Sequence, residues 1–236
     1  NGKLCKDMYL GVVRIITIPD KNHDRVMIAD SHTRTGKVIE YAVKMKHIAS
    51  EYRMDKLLTA HRIKLENIGK IASILNNFHS RALTSKEIQK YGQPRYLKYK
   101  IKENFQTLAK LRRPTPQAED KLIKFMINNE NVFRTRIRDN KIRDIHGDMY
   151  LKNIFIVKGG KYYLYDRVEF NDSLRYADVA EDVAHLSMDL EYHRHKDFKL
   201  YFVRTYVSRS RDHDLIKILN FLICYKAFMR AKVSLF

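Results

Sequence analysis

The apolar residues of this chain change their spacing once, near Met54, and that switch confines it to folds in which a small sheet precedes a larger helical body. Upstream, Tyr9–Ile18 is rich in β-branched residues and stops at Pro19. Residues 26–29 and 38–45 read the same way, with Thr33-Arg34-Thr35-Gly36 as the turn between them. Three such runs predict a small antiparallel sheet. From Met54 onward the period is helical. Leu65, Ile68, Ile71, Ala72, Leu75 and Phe78 share one face of a helix ending near His79. Thr84 and Glu87 have the spacing of a capping box for the next helix. Residues 96–111 form a Lys-rich helix that Pro114 and Pro116 break, and residues 118–138 are helical again. Two short apolar runs, 154–157 and 162–165, flank Lys158-Gly159-Gly160-Lys161, a strong hairpin signal. Helices are expected over about 176–192, 198–207 and 215–233, the first with an inward stripe of Val179, Val183, Leu186 and Leu190. The expected fold class is therefore α+β, with a sheet region over 1–48 and a mainly helical region over 49–236.

Hydrophobic residues make up 44% of the 236, enough for a real core and too many for a disordered chain. Two cysteines, Cys5 and Cys224, make no disulfide framework and point to a reducing, cytoplasmic compartment. Residues 218–225, between Lys217 and Lys226, are too few to span a bilayer, so no membrane partner is expected. No secretory leader is evident. Residue 1 is Asn rather than Met, and a further stretch upstream is expected. Forty-six Lys and Arg against 27 Asp and Glu give a net charge of +19, a field that favours anionic partners or reflects only a solvated basic surface.

The chemistry concentrates in Ile145-His146-Gly147-Asp148-Met149-Tyr150-Leu151-Lys152-Asn153-Ile154. Asp148 and Asn153 lie five positions apart, and Asp166 follows Asn153 by thirteen, at the end of a predicted strand. Phosphoryl transfer uses such a set: a carboxylate to take the proton of the attacking hydroxyl, and hard oxygens to hold magnesium on the phosphates. Asp148 is the candidate base, and Asn153 and Asp166 the candidate Mg2+ ligands. His146 is expected to hold the loop backbone, and Lys152 to face the γ-phosphate, the substrate or solvent.

The HGDxxxxN loop resembles that of the aminoglycoside phosphotransferase and choline kinase group, which has a protein-kinase-like fold of two lobes. The similarity extends through Tyr9-Leu10-Gly11-Val12-Val13, Glu40-Tyr41-Ala42-Val43-Lys44-Met45, Tyr165-Asp166-Arg167-Val168-Glu169-Phe170-Asn171 and Leu174-Arg175-Tyr176-Ala177-Asp178-Val179-Ala180-Glu181-Asp182-Val183-Ala184. It resembles most a subgroup in which this domain is often fused to a C-terminal P-loop ATPase domain. The resemblance implies ATP and Mg2+ as cofactors and a small-molecule hydroxyl as acceptor. It makes 1–48 the remnant of the N-lobe, with a hinge at about 45–48, and 49–236 the C-lobe. On that reading the backbone of Met45, Lys46 and His47 would face adenine. Glu169 would reach the acceptor site, and Asp178 and Asp182 would anchor a helix to the catalytic loop. The phosphate-covering loop, its Lys and that Lys's Glu partner would lie upstream, with residues 1–6 as the tail of the partner helix. Val43-Lys44-Met45 mimics the V-A-I-K strand, but its place before the helical part fits a hinge better.

Four other readings stay open. An atypical protein kinase fits the same triad, although Gly147 stands where those enzymes have Arg. A non-catalytic regulatory module fits the basic charge. Nucleic-acid binding, not favoured, would use Arg134, Arg136, Arg138, Lys141 and Arg143, or Arg95, Lys98, Lys100 and Lys102 with Tyr96 and Tyr99. His193 and His195, with His185 and Asp189, give a weak metal signal.

Overall fold

A computed structural model describes every residue except 1–3, 6, 21–22, 30–32, 34, 112, 114 and 236. The expected helix tail at 1–6 falls largely outside the described residues, as do Arg34 of the expected turn and Pro114 of the expected break. The chain divides into two compact units, Asn1–Ser50 and Glu51–Phe236.

The first unit is an antiparallel sheet of β1 (Tyr9–Ile18), β2 (Arg25–Ala29) and β3 (Lys37–Met45) in the order β2-β1-β3. Its register pairs Ile15 with Ile28 and Val12 with Val43. Of the ten residues of β1 only Ile16 is buried, and Val12, Val26, Ile28 and Val43 are all exposed.

The second unit carries α1 (Met54–Thr59), α2 (Leu65–Arg81), α3 (Lys86–Gln89), α4 (Pro94–Lys110), α5 (Pro116–Asn128), α6 (Glu130–Arg138), β4 (Ile142–Asp144), β5 (Ile154–Val157), β6 (Lys161–Leu164), α7 (Asp172–Arg175), β7 (Tyr176–Asp178), α8 (Val179–Tyr192), α9 (Lys196–Ser210) and α10 (Leu215–Val233). The mixed α+β class read from the sequence holds. Four local readings are corrected. Ser85, not Thr84, caps α3: its Oγ accepts from Ile88 N at 3.2 Å, while the Thr84 hydroxyl donates to the Ile142 carbonyl at 2.9 Å. The helix expected over 118–138 is two, α5 and α6, parted at Asn129. Tyr176–Asp178 leaves the helical pattern and pairs with β4, because β4 offers it an antiparallel edge. The hairpin of β5 and β6 pairs Ile154 with Leu164 and Val157 with Lys161, so its second strand starts one residue earlier than expected.

Helix α8 is the centre of this unit. Every residue from Val179 to Leu190 is buried, which marks a helix surrounded by protein on all sides. It packs on α9 and α10, and α2 packs on α9. Four ionisable residues of α8 are buried with the rest: Glu181, Asp182, His185 and Asp189. A buried charge is tolerated only with partners. Glu181 has the Lys226 ammonium at 2.7 Å and that of Lys100 at 3.3 Å. Among the described residues no helix is long and apolar enough to cross a membrane. Cys5 is buried and Cys224 exposed.

Candidate active site

Asp182, His185 and Asp189 follow one another at intervals of three and four, so they share one face of α8. The loop 146–151 runs along that face and is tied to it in order. Asp182 Oδ2 accepts from His146 N at 2.8 Å and Oδ1 from Gly147 N at 2.9 Å. His185 Nδ1 lies 4.0 Å from Asp148 Oδ1, and its ring stacks on Tyr150. Asp189 Oδ2 accepts from Leu151 N at 2.8 Å. A loop without periodic structure thus gets a defined backbone, because the helix satisfies its N–H groups.

Gly147 is required where it stands. Its φ is +85°, and an added Cβ would lie 2.8 Å from the Leu174 carbonyl and 3.2 Å from Val168. Backbone oxygen cannot give way, and an L side chain disfavours that φ. The Arg of protein kinases would not fit this backbone.

His146 is fully buried. Its Nδ1 accepts from Asp148 N at 3.3 Å, so the proton sits on Nε2, which donates to the Tyr165 carbonyl at 3.0 Å. Burial pushes its pKa down, against the pull of Asp182. The neutral ring therefore joins the 146–151 loop to Tyr165, the residue before Asp166.

Behind the loop, His79 Nε2 bonds Asp182 Oδ2 at 2.9 Å and its Nδ1 bonds the Tyr206 hydroxyl at 2.7 Å. Burial raises the pKa of Asp182, but the hydrogen bond and charge of His79 and the His146 amide outweigh it and bring it to about 2. A folded pKa below the ordinary 3.8 contributes stability that is fully present above pH 3.8 and disappears as pH falls towards 2. The shift corresponds to about 2 kcal/mol. Acid titration of the melting temperature should show this loss between pH 4 and pH 2. In Asp182→Asn the protein starts less stable at neutral pH and its profile is flatter in that window; an equally steep profile would count against the assignment.

Asp148 keeps a third of its side chain exposed. Asn153, buried in a short 3-10 turn at Leu151–Asn153, donates from Nδ2 to the Asp148 carbonyl at 2.9 Å and to Oδ2 at 3.0 Å. Both partners only accept, so the amide nitrogen faces Asp148 and Asn153 Oδ1 is left as the side-chain acceptor. Burial raises the pKa of Asp148; Asn153, Arg230 and Lys226 pull it down, and the charge of Asp166 pushes it up. The net direction is up, towards the range of a working base. Asp166 is exposed and holds the left-handed φ of +61°. Asp tolerates that region better than most residues, and such outliers gather at functional sites.

The remaining expected site residues are distributed as follows. Lys152 is exposed and borders a cavity beside the loop. Glu169 is exposed, 3.9 Å from the Arg167 guanidinium. Asp178 does not reach the loop. Its carboxylate grips Arg136 at 2.6 and 2.7 Å and caps α8 by accepting from Ala180 N at 2.8 Å. Arg136, read from sequence as part of a basic surface run, is buried between Asp178 and Asp212. Met45, Lys46 and His47 belong to the first unit, where Lys46 N already donates to the Met8 carbonyl at 2.8 Å. That amide is engaged within its own unit. Among the described residues no three His, Cys, Asp or Glu are grouped to hold a metal. His193 lies 3.8 Å from Asp189, and His195 stacks on Phe198. The sequence reading did not give His185 and Asp189 their roles along the loop. Their signal was an Asp, a His and an Asp at helical spacing in an otherwise apolar helix.

No model of a known protein family matches the chain. Uncharacterized proteins of Mycobacterium tuberculosis and Mycobacterium bovis are 31% identical to it over 243 residues, covering 99% of this chain and 45% of the relative. The chain thus spans a little under half the length of the curated relatives it matches. A solved glucosamine kinase aligns with a TM-score of 0.48 at 13% identity, over 94% of this chain and 58% of that one.

Proposed function

We propose that the chain is the catalytic part of an ATP- and Mg2+-dependent phosphotransferase of the aminoglycoside phosphotransferase-like kind, acting on a hydroxyl of a small molecule. The observation that carries this is Asp148. It is a half-buried carboxylate with a raised pKa, held by the Asn153 amide on a loop strapped to the core. Asp148 would accept the proton of the acceptor hydroxyl as that oxygen attacks the γ-phosphorus. Asn153 Oδ1 and the Asp166 carboxylate would hold magnesium, which favours hard oxygen donors and completes its shell with phosphate oxygens and water. When bound, the ion neutralises charge on the phosphates. The protein contributes position: Asn153 touches the base, and His146 links the base's loop to the residue before Asp166.

A small acceptor is favoured over a protein. Residues 167–171 alone separate Asp166 from α7, and Val168 N is fixed to the His146 carbonyl at 3.0 Å. That leaves little chain for a mobile activation segment. The curated relatives are more than twice as long as this chain, which leaves room in them for the P-loop ATPase domain that the resemblance implies.

The direct test incubates the full-length protein with magnesium and γ-labelled ATP and a panel of hydroxyl compounds. Label should appear on a small molecule. Label on protein alone, or no transfer to any acceptor, would count against the reading. Asp166→Asn should weaken magnesium-nucleotide binding at least about tenfold by calorimetry; unchanged affinity would remove Asp166 from the metal site.

A further inference from the structure

Beside the catalytic loop lies a cavity of about 450 Å³, formed between that loop, the end of α8 and the end of α10. Its size is that of a small-molecule pocket. Tyr150 and Lys152 line it from the loop, Asp189, Tyr192 and His193 from the end of α8, and Arg230 from α10. Among the described residues that line it, the one carboxylate is already engaged: Asp189 Oδ2 takes the Leu151 amide, and Oδ1 faces His193 Nε2 at 3.8 Å. Its two permanent cations are Lys152 and Arg230. The Arg230 guanidinium lies over the Tyr150 ring, 4.4 Å from its centroid. Stacking of this kind holds a guanidinium flat and leaves its edge N–H groups for an oxyanion. Tyr150 in turn stacks on His185, which lies beside Asp148. The cationic wall of the cavity is therefore built onto the same stack as the candidate base.

We infer that this cavity is the acceptor site and that the acceptor carries an anionic oxygen group, a carboxylate or a phosphate, held by Arg230 and Lys152. The inference rests on the phosphotransferase reading and deepens it. It runs against the substrate that the family name suggests. A polycationic aminoglycoside would meet two like charges in a pocket where Asp189, the carboxylate among the described lining residues, is engaged, and like charges at short range disfavour a ligand. The two tyrosines suit the face of a sugar or other ring.

Calorimetry on the full-length protein at low ionic strength tests this without any transfer step. The probes are glucose 6-phosphate, gluconate, neutral glucose and kanamycin, each with and without Mg-ADP. At least one anion should bind about tenfold or more tighter than glucose, and kanamycin should not compete. Arg230→Met and Lys152→Met should each lower anion affinity about tenfold, a larger loss than either causes for glucose. Lys152 is an exposed side chain, so its variant separates binding from folding. Preference for the phosphate over the carboxylate, or the reverse, identifies which oxyanion the site takes. Kanamycin binding as tightly as the anions, no anion binding, anion affinity indifferent to both substitutions, or displacement of the anion by Mg-ADP would each overturn the assignment. Anion binding that depends on Arg230 and Lys152, in a protein that transfers phosphate to nothing, would sink the kinase reading and with it the acceptor role, and would leave only the oxyanion preference of the cavity.

Discussion

On the proposed chemistry, Asp148→Asn lowers the rate of phosphoryl transfer by about 10²–10⁴-fold and leaves nucleotide affinity and melting temperature near those of the parent. The reason is geometric. Asn has the shape of Asp, and Asn153 Nδ2 can still donate to its carbonyl oxygen and to the Asp148 main-chain carbonyl. With a third of the side chain exposed, the fold loses little. What disappears is the one oxygen able to take a proton beside Asn153. Single-turnover rates with saturating ATP separate the two effects. A variant with the parent's rate would exclude Asp148 as the base; one that fails to bind nucleotide would make it a structural residue.

Arg136→Met is the substitution expected to cost the most stability. Arg136 is 1% exposed. It spans Asp178 at 2.6 and 2.7 Å and Asp212 at 2.9 and 3.0 Å. Methionine fills much of the volume but leaves two carboxylates facing each other in the core, with Lys141 at 3.7 Å from Asp212 as the remaining cation among the described residues. Removing one side of a buried ion pair costs about 3–5 kcal/mol, a fall of roughly 10 °C or more in melting temperature for a domain of this size. Asp178 also caps α8, so the helix that holds the 146–151 loop loosens at its start. The triple variant with Asp178→Asn and Asp212→Asn should recover part of the loss, since no buried charge is then left alone. A melting temperature within about 2 °C of the parent for Arg136→Met alone would show that the triad is not a core element.

The α+β division was legible because hydrophobic spacing is a local property. The strand runs around Val12 and Val43 and the helical stripe from Leu65 to Leu75 each carry their own period. The loop at 145–153 stood out because Asp148 and Asn153 sit five positions apart, with Asp166 thirteen further on, the residue types that phosphoryl transfer uses. What stayed hidden depends on partners distant in the chain. Arg136 reads as one more basic residue in its run until Asp178 and Asp212, 42 and 76 positions away, close around it. Asp178 reads as a neighbour of Asp182, yet one binds α6 and the other the loop. Tyr176–Asp178 keeps helical company in sequence and becomes a strand only because β4 supplies an edge. Arg230 lies 80 positions from Tyr150 in sequence, so no local pattern could join them.

The loop along α8 has an evolutionary consequence. Its backbone is fastened through His146, Gly147 and Leu151, while Tyr150 and Lys152 turn their side chains to the cavity. The fastening uses main-chain amides, which every residue but proline owns. The exposed side chain at 152 can therefore drift from one lineage to the next without re-aiming Asp148. On the proposed chemistry, a descendant can change what it accepts before it changes how it reacts.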